Sequence, residues 1–248
     1  MLLPLPVQAA ADCRAPAGLR AAQVDAVVDG DTLRLTDGRS VRLIGLNAPE
    51  KARDERPAEP LAEAATRHLQ QLVDAGGGRV GLLAGEQARD HYGRSLAHAF
   101  GRDGSNWEAQ LLAAGLGFAV AMAPNTALVD CQFAAEGAAR AAGRGVWRLT
   151  PLLETSRLRR GGFALLRGRV ATVERNRGGL WLELDGSLVL QVEAQSLALF
   201  DERALSALAG RTVVVRGWVV DRRRRGALEP GQARWLLQLS HPAMLEVR

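Results

Sequence analysis

The sequence predicts an α+β protein in which β-structure dominates: a five-stranded Greek-key barrel with flanking helices, followed by a second, smaller barrel. Three observations predict it. Between residues 23 and 100 the chain reads as three short strands, a helix and two more strands, the β-β-β-α-β-β order of an OB barrel. That order returns after residue 160 with no residue-level repeat between the halves, so the second barrel rests on element order alone. The third is composition: 248 residues, 47% hydrophobic and 24% charged, suit a globular chain of one large or two small domains. The expected division is an N-terminal arm at 1–20, a first domain at 21–150 and an OB-like accessory domain at 160–248.

The arm, "MLLPLPVQAAADC", reads either as a truncated secretory signal without its basic leader or as an ordinary apolar tail. A membrane span is not expected, because no apolar run reaches the roughly 18 residues that crossing needs. Strands follow at 23–28, 32–36 and 39–45, the last two joined by the hairpin dipeptide Asp37-Gly38. After the charged loop "KARDERPAEP", Leu61, Ala65, Leu69 and Leu72 recur at helical spacing, and Gly76-Gly77-Gly78 ends that helix. Strands at 79–83 and 95–100 and helices at 106–116 and 126–142 close the unit at "GRGVW". In the second half "GFALLRGRVATVE", "GGLWLELD" and "SLVLQVE" read as strands, "SLALFDERALSALAG" as a helix, and "RTVVVRGWVVD" and "ARWLLQLS" as two more strands.

Charge divides unevenly. Residues 1–154 hold 16 basic and 18 acidic side chains, a balance of −2, whereas 155–248 hold 16 and 9, a balance of +7. A basic C-terminal part suggests a polyanionic partner, although 31 arginines against one lysine also fit compositional bias. The two cysteines, Cys13 and Cys131, are too few for a four-ligand metal site. They suit a disulfide in an exported chain or two unrelated thiols.

The stretch "VVDGDTLRLTDGRSVRLIGLNAPE" places charge where a strand should carry little. Asp29-Gly30-Asp31 alone is ordinary turn chemistry, yet two carboxylates so close can also share a hard cation. Arg42 in mid-strand costs desolvation unless it meets an anion; Glu50 follows the turn "NAP"; Arg94 enters another strand from "DHYGR". Each singly has a plain reading as an edge charge, a cap or a surface residue.

Together, "VVDGDTLRL", "VRLIGLNAPE", "DHYGRSLAHAF", "NWEAQLLAAGLGFAV", Pro124-Asn125 and the closing "GVW" resemble the thermonuclease, or staphylococcal nuclease-like, family over residues 24–147. The resemblance implies an OB barrel and metal-assisted hydrolysis of DNA or RNA phosphodiesters, with Ca2+, or Mn2+ or another divalent metal, as cofactor. It implies Asp31 as a metal ligand, Asp29 as an outer carboxylate and the Ala48 carbonyl as a further ligand. Glu50 would be the general base, and Arg42 and Arg94 the groups that grip phosphoryl oxygens, whose transition-state charge a guanidinium fork stabilises. Two positions depart from the family pattern. Asn47 stands where an aspartate is common, which predicts weaker calcium binding or another metal preference. Val120 and Met122 stand where tyrosines often meet the nucleotide, leaving Tyr92 for stacking.

In the second barrel, Trp181, Trp218 and Trp235 lie in predicted strands and Arg222, Arg223, Arg224 and Arg225 form a loop. Aromatics on an OB sheet beside arginines suit single-stranded nucleic acid, with Trp218 and the four arginines as candidate contacts; core tryptophans and a solvated loop are the plainer reading. The chain is therefore expected to be a monomeric, periplasmic or secreted nuclease acting on DNA or RNA, with a cytoplasmic location as the alternative. The competing reading is a catalytically weakened nucleic-acid-binding or scaffold protein on the same fold.

Overall fold

The computed structural model describes residues 13–149, 152–229 and 231–248, so residues 1–12, most of the stretch read as a secretory signal, and the side chain of Arg225 lie outside the described residues. The chain divides into two compact units, one from residues 1–119 and 124–150, the other from 120–123 and 151–248. Val120 and Met122 thus partition with the second unit.

In the first unit β1 (Ala21–Asp29), β2 (Thr32–Leu35) and β3 (Ser40–Leu43) form a meander. A two-residue β4 (Leu46–Asn47), α1 (Ala62–Ala75), β5 (Arg79–Arg89) and β6 (Ser95–Phe100) follow. The barrel closes in the order β1-β2-β3-β6-β5, antiparallel except for β3 against β6. Alternation explains the inward set: Leu33, Leu35, Val41 and Leu43 are all buried and two residues apart in each pair. Ala62, Ala65, Leu69 and Val73 place one stripe of α1 on the core. Each buried Leu or Val contributes roughly 1.5–3 kcal/mol.

Three more helices complete this unit. Asn106 caps α2 (Trp107–Ala113) by accepting from Ala109 N at 2.9 Å. After β7 (Phe118–Ala119), which pairs with β4, come α3 (Val129–Ala141) and α4 (Val146–Leu149). Cys13 and Cys131 are bridged, with Cα atoms 5.5 Å apart, so the disulfide alternative holds. Buried polar side chains replace missing ladder bonds: Glu108 accepts from Ala99 N, Glu136 from Ala119 N, and Gln132 donates to Ile44 O.

The second unit has β8 (Leu153–Glu154), β9 (Gly162–Asn176), β10 (Gly179–Leu184), β11 (Leu188–Glu193), α5 (Glu202–Ser206), β12 (Thr212–Asp221), β13 (Trp235–Gln238) and β14 (Leu245–Val247). Five strands close as β9-β10-β11-β13-β12, with β12 returning to β9 and β11 parallel to β13. Strand for strand this is the connectivity of the first barrel, so element order alone identified it. The helix expected over "SLALFDERALSALAG" is broken: a 3-10 segment at Ala194–Leu199 stops before Asp201, which caps α5 by accepting from Arg203 N and Ala204 N. No helix among the described residues is long and apolar enough to cross a membrane.

Candidate active site

The hairpin from β1 to β2 turns through Gly30 and Asp31, with Asp29 opposite Thr32. Gly30 is required by close approach, since a Cβ there would lie 2.6 Å from Ala65 Cβ and 2.7 Å from Ala48 Cβ. The turn is thereby pressed between α1 and the segment after β4. Asp31 is buried and well held: Oδ2 accepts from Ala48 N at 2.8 Å, Oδ1 from the Thr32 hydroxyl at 3.1 Å, and the carboxylate pairs with Arg42. Asp29 Oδ1 accepts from Asp31 N at 3.0 Å.

Arg42 projects from β3 into this turn. It donates to Asn47 Oδ1 at 3.4 Å and to the Asp31 carbonyl at 3.5 Å. Burial lowers its pKa to about 10, a shift that Asp29 resists and Arg94 reinforces; it stays charged at neutral pH. Asn47 is therefore placed beside Arg42 as a neutral acceptor.

Gly45 carries the chain out of β3 at φ +86, and a Cβ there would collide with Gln132 of α3. Beyond it, Glu50 stands exposed on the rim, its backbone tied to Glu59, whose N–H donates to Glu50 O and whose carboxylate accepts from Glu50 N. Protein crowding on one side, then the charges of Asp29 and Glu59, raise the Glu50 pKa against the pull of Arg42 and Arg94. Burial likewise raises Asp29, opposed by Arg42, Thr32 and Arg94.

Arg94 comes from the turn between β5 and β6. Its Nε donates to Asp90 Oδ2 at 2.7 Å, and Asp90 Oδ1 accepts from the backbone of Tyr92 and Arg94. Burial works against the Asp90 charge, but these bonds hold its pKa below the ordinary value. Tyr92 is 74% exposed, with the Arg94 guanidinium 5.5 Å from its ring centre. Asp90 and Glu59 were missed in the sequence; an Asx-turn signal in "RDHYGR" could have found the first, whereas nothing local marks the second.

Asp29, Asp31, Arg42, Asn47, Ala48, Glu50 and Arg94 thus share one rim, and the two arginines act electrostatically on both Asp29 and Glu50. Beside the Asp31 carboxylate stand the Asp29 carboxylate and the Asn47 amide oxygen, hard donors of the kind a divalent cation takes, while Ala48 gives Asp31 its N–H. Among the described residues no group of three or more His, Cys, Asp or Glu converges as a metal cluster.

The candidates of the second unit are not brought together in the way expected. Trp235 is 3% exposed and belongs to the core. Arg222 donates to Ala233 O, and Arg223 and Arg234 share Asp221, so these side chains fold the loop. Arg224 is exposed, and Trp218, 38% exposed, packs edge-on against Phe163.

Residues 40–149 match the model of the staphylococcal nuclease homologue family. The chain is 33% identical over 111 residues to the SPbeta prophage-derived endonuclease YokF of Bacillus subtilis (strain 168), 43% of this chain and 37% of that protein. To endonuclease YncB of the same organism it is 32% identical over 111 residues, 43% and 52% of the two chains. To the thermonuclease of Staphylococcus intermedius it is 35% identical over 80 residues, 31% and 46%. The matched part spans about half or less of each of these relatives.

Proposed function

We propose, because residues 40–149 belong to the staphylococcal nuclease homologue family, that the chain is a nuclease that hydrolyses phosphodiester bonds of DNA or RNA, with its basic second unit adding grip on the polyanion. One observation carries the reading: two arginines, two aspartates and Glu50 share one rim, with the Glu50 pKa raised toward the range in which a carboxylate serves as a base. Arg42 and Arg94 bind the non-bridging oxygens of the scissile phosphate and stabilise their charge in the transition state. Glu50 removes a proton from the attacking water as its oxygen bonds to phosphorus; the opposite P–O ester bond breaks, its oxygen takes a proton from solvent water, and Glu50 returns its proton to solvent. A divalent metal, Ca2+ as the first expectation, would be held by Asp31, Asn47 and the Ala48 carbonyl with Asp29 behind them, and supplies Lewis-acid polarisation when bound.

Export to the periplasm or outside the cell is supported by the disulfide, since such bridges persist in oxidising compartments. In the second unit, support for a phosphate-gripping role comes from a cavity of about 700 Å³ bordered by Arg167, Arg169 and Arg248. The second reading, a binding protein with weakened catalysis, is favoured by Asn47 and by the pairing of Arg42 with Asp31. The deciding experiment incubates the purified chain with plasmid and single-stranded DNA in calcium, manganese or chelator. Metal-dependent cleavage supports the nuclease; retention of DNA without cleavage in any metal supports the binding protein.

A further inference from the structure

Glu50 stands where the chain leaves the first barrel. Leu46, Ala48 and Pro49 before it are buried, whereas residues 52–60 after it are all exposed. The residue thus sits at the mouth of an excursion that returns at Glu59. Two pairs of hydrogen bonds close that excursion. At its tip Arg53 N donates to Arg56 O at 3.1 Å and Arg56 N to Arg53 O at 3.0 Å, around a turn in which Asp54 has φ +52. At its neck Glu59 N donates to Glu50 O at 2.8 Å, and Glu50 N donates to Glu59 Oε2 at 3.1 Å.

The neck is not an ordinary rung. In a hydrogen-bonded antiparallel pair the acceptor for Glu50 N would be the Glu59 carbonyl, but that oxygen accepts from Ala62 N at 3.2 Å as α1 begins. The Glu59 side chain takes its place. Leu61, the residue before α1, has φ +72, a conformation rarely adopted by residues with a Cβ, and such outliers persist where their surroundings hold them. Ala65, in the first turn of the same helix, is the residue that Gly30 approaches. One element, α1, is therefore the reference both for the Asp29-Gly30-Asp31 turn and, through Glu59, for Glu50. A second tie, Lys51 Nζ at 3.7 Å from Glu63 Oε1 of α1, joins two side chains that are each more than a third exposed, and such a pair holds little. Among the described residues Glu50 makes no hydrogen bond besides the two to Glu59.

We propose that Glu59 is a positioning residue for the cleavage reaction: by accepting from the Glu50 backbone, its carboxylate holds the general base at the rim in register with α1. The proposal rests on the nuclease reading. Its charge is not what the tie requires, since the Glu59 charge is among those that work against ionised Glu50. The hydrogen bond needs only an acceptor oxygen, which an amide also supplies.

Cleavage of a short single strand by the full-length chain, with kcat and KM measured separately, is compared in the parent, Glu59→Ala, Glu59→Gln, Glu50→Gln and the double variant Glu50→Gln with Glu59→Ala. Glu59→Ala should lower kcat about ten- to a hundredfold, the cost of a reacting group displaced by about 1 Å, with KM changed by less than about twofold. Glu59→Gln should retain at least about a third of the parental kcat, because the acceptor is kept. In the Glu50→Gln background Glu59→Ala should cost almost nothing more, because Glu59 acts through Glu50, whereas a merely structural role would cost as much in either background. Hydrogen exchange at Glu50 N–H should be faster in Glu59→Ala than in the parent, and in Glu59→Gln close to the parent. If Glu59→Ala does not fold, Glu59→Met, which keeps the length and lacks the oxygen, takes its place. A parental kcat in Glu59→Ala, a glutamine variant as slow as the alanine variant, equal losses in both backgrounds or unchanged exchange overturns the proposal and leaves the nuclease reading standing. A parent chain that cleaves nothing in any metal overturns both.

Discussion

Glu50 is the side chain whose chemistry depends most on its surroundings, and its exposure keeps its substitution from disturbing the core. Glu50→Gln should lower the cleavage rate by roughly two to four orders of magnitude, the usual range for general-base catalysis, with an unchanged circular dichroism spectrum. Because its pKa is raised, the acidic limb of the pH–rate profile should lie above that of an ordinary glutamate and vanish in the variant. A wild-type rate in Glu50→Gln would remove the assignment. Asn47 gives a second test: its amide accepts from Arg42 beside Asp31, so Asn47→Asp adds a charge to the oxygen donors there. The divalent metal concentration for half-maximal activity should fall, and calorimetric titration should show tighter metal binding; no shift in either would mean position 47 serves Arg42 alone. Arg42 could be picked out in the sequence because a buried strand seldom carries a guanidinium without an anion. Its pairing with Asp31 could not, since that depends on how closely Gly30 lets the turn approach Ala65 and Ala48.

Elements held by a few long-range links are the ones whose loss should be measurable. The bridge from Cys13 to Cys131 spans 118 residues and ties the arm that precedes β1 to α3, whose Gln132 supports Ile44 beside the site. Replacing both cysteines by serine should cost up to about 4–5 kcal/mol in a chain-entropy account, read as a lower denaturant midpoint; an unchanged midpoint would show that the barrel does not need the tie. In the second unit Asp221 accepts from Arg223 and Arg234 at the end of β12, and these bonds depress its pKa. A carboxyl with a depressed folded-state pKa contributes stability that is fully present above its unfolded value of about 3.8 and is lost progressively as pH falls from there through its folded value. Asp221→Asn should therefore lower the melting temperature at pH 7, and lower it less at pH 3, where the unfolded-state carboxyl is already protonated. The arginine run was visible in the sequence as charge, but its use as loop scaffold was not, because the partners Ala233 and Arg234 lie across the loop. Strands with alternating residues, such as β2 and β3, were readable from period alone. The two-residue pair β4 with β7 has no period to read, and β5 runs to Arg89, past the expected 83, where Gln87 exchanges hydrogen bonds with the Asn125 side chain.

At the scale of the whole molecule, two barrels of one connectivity carry different charge, −2 for residues 1–154 and +7 for 155–248. The basic excess avoids β10, β11 and β13, and Arg222 and Arg223 are spent within their loop. What faces solvent on the β9 and β12 side includes Arg167, Arg169 and Arg248 around the cavity of about 700 Å³, with Glu154 and Asp185 also lining it. Arg167 pairs with Glu154 and Arg248 with Glu246, at partners more than a third exposed; such surface pairs are worth little and exchange readily for a phosphate. If these three arginines grip nucleic acid, replacing all three by alanine in the full-length chain releases up to three phosphate contacts. The plot of log affinity against log salt for a long single strand should then flatten by about 2 units, since each contact contributes roughly 0.7. The Michaelis constant on that substrate should rise at low salt while turnover changes little, because Glu50, Arg42 and Arg94 are untouched. Equal slopes for the variant and the parent would mean that the second barrel's charge is not used on the substrate, and that grip on long strands belongs to the first barrel.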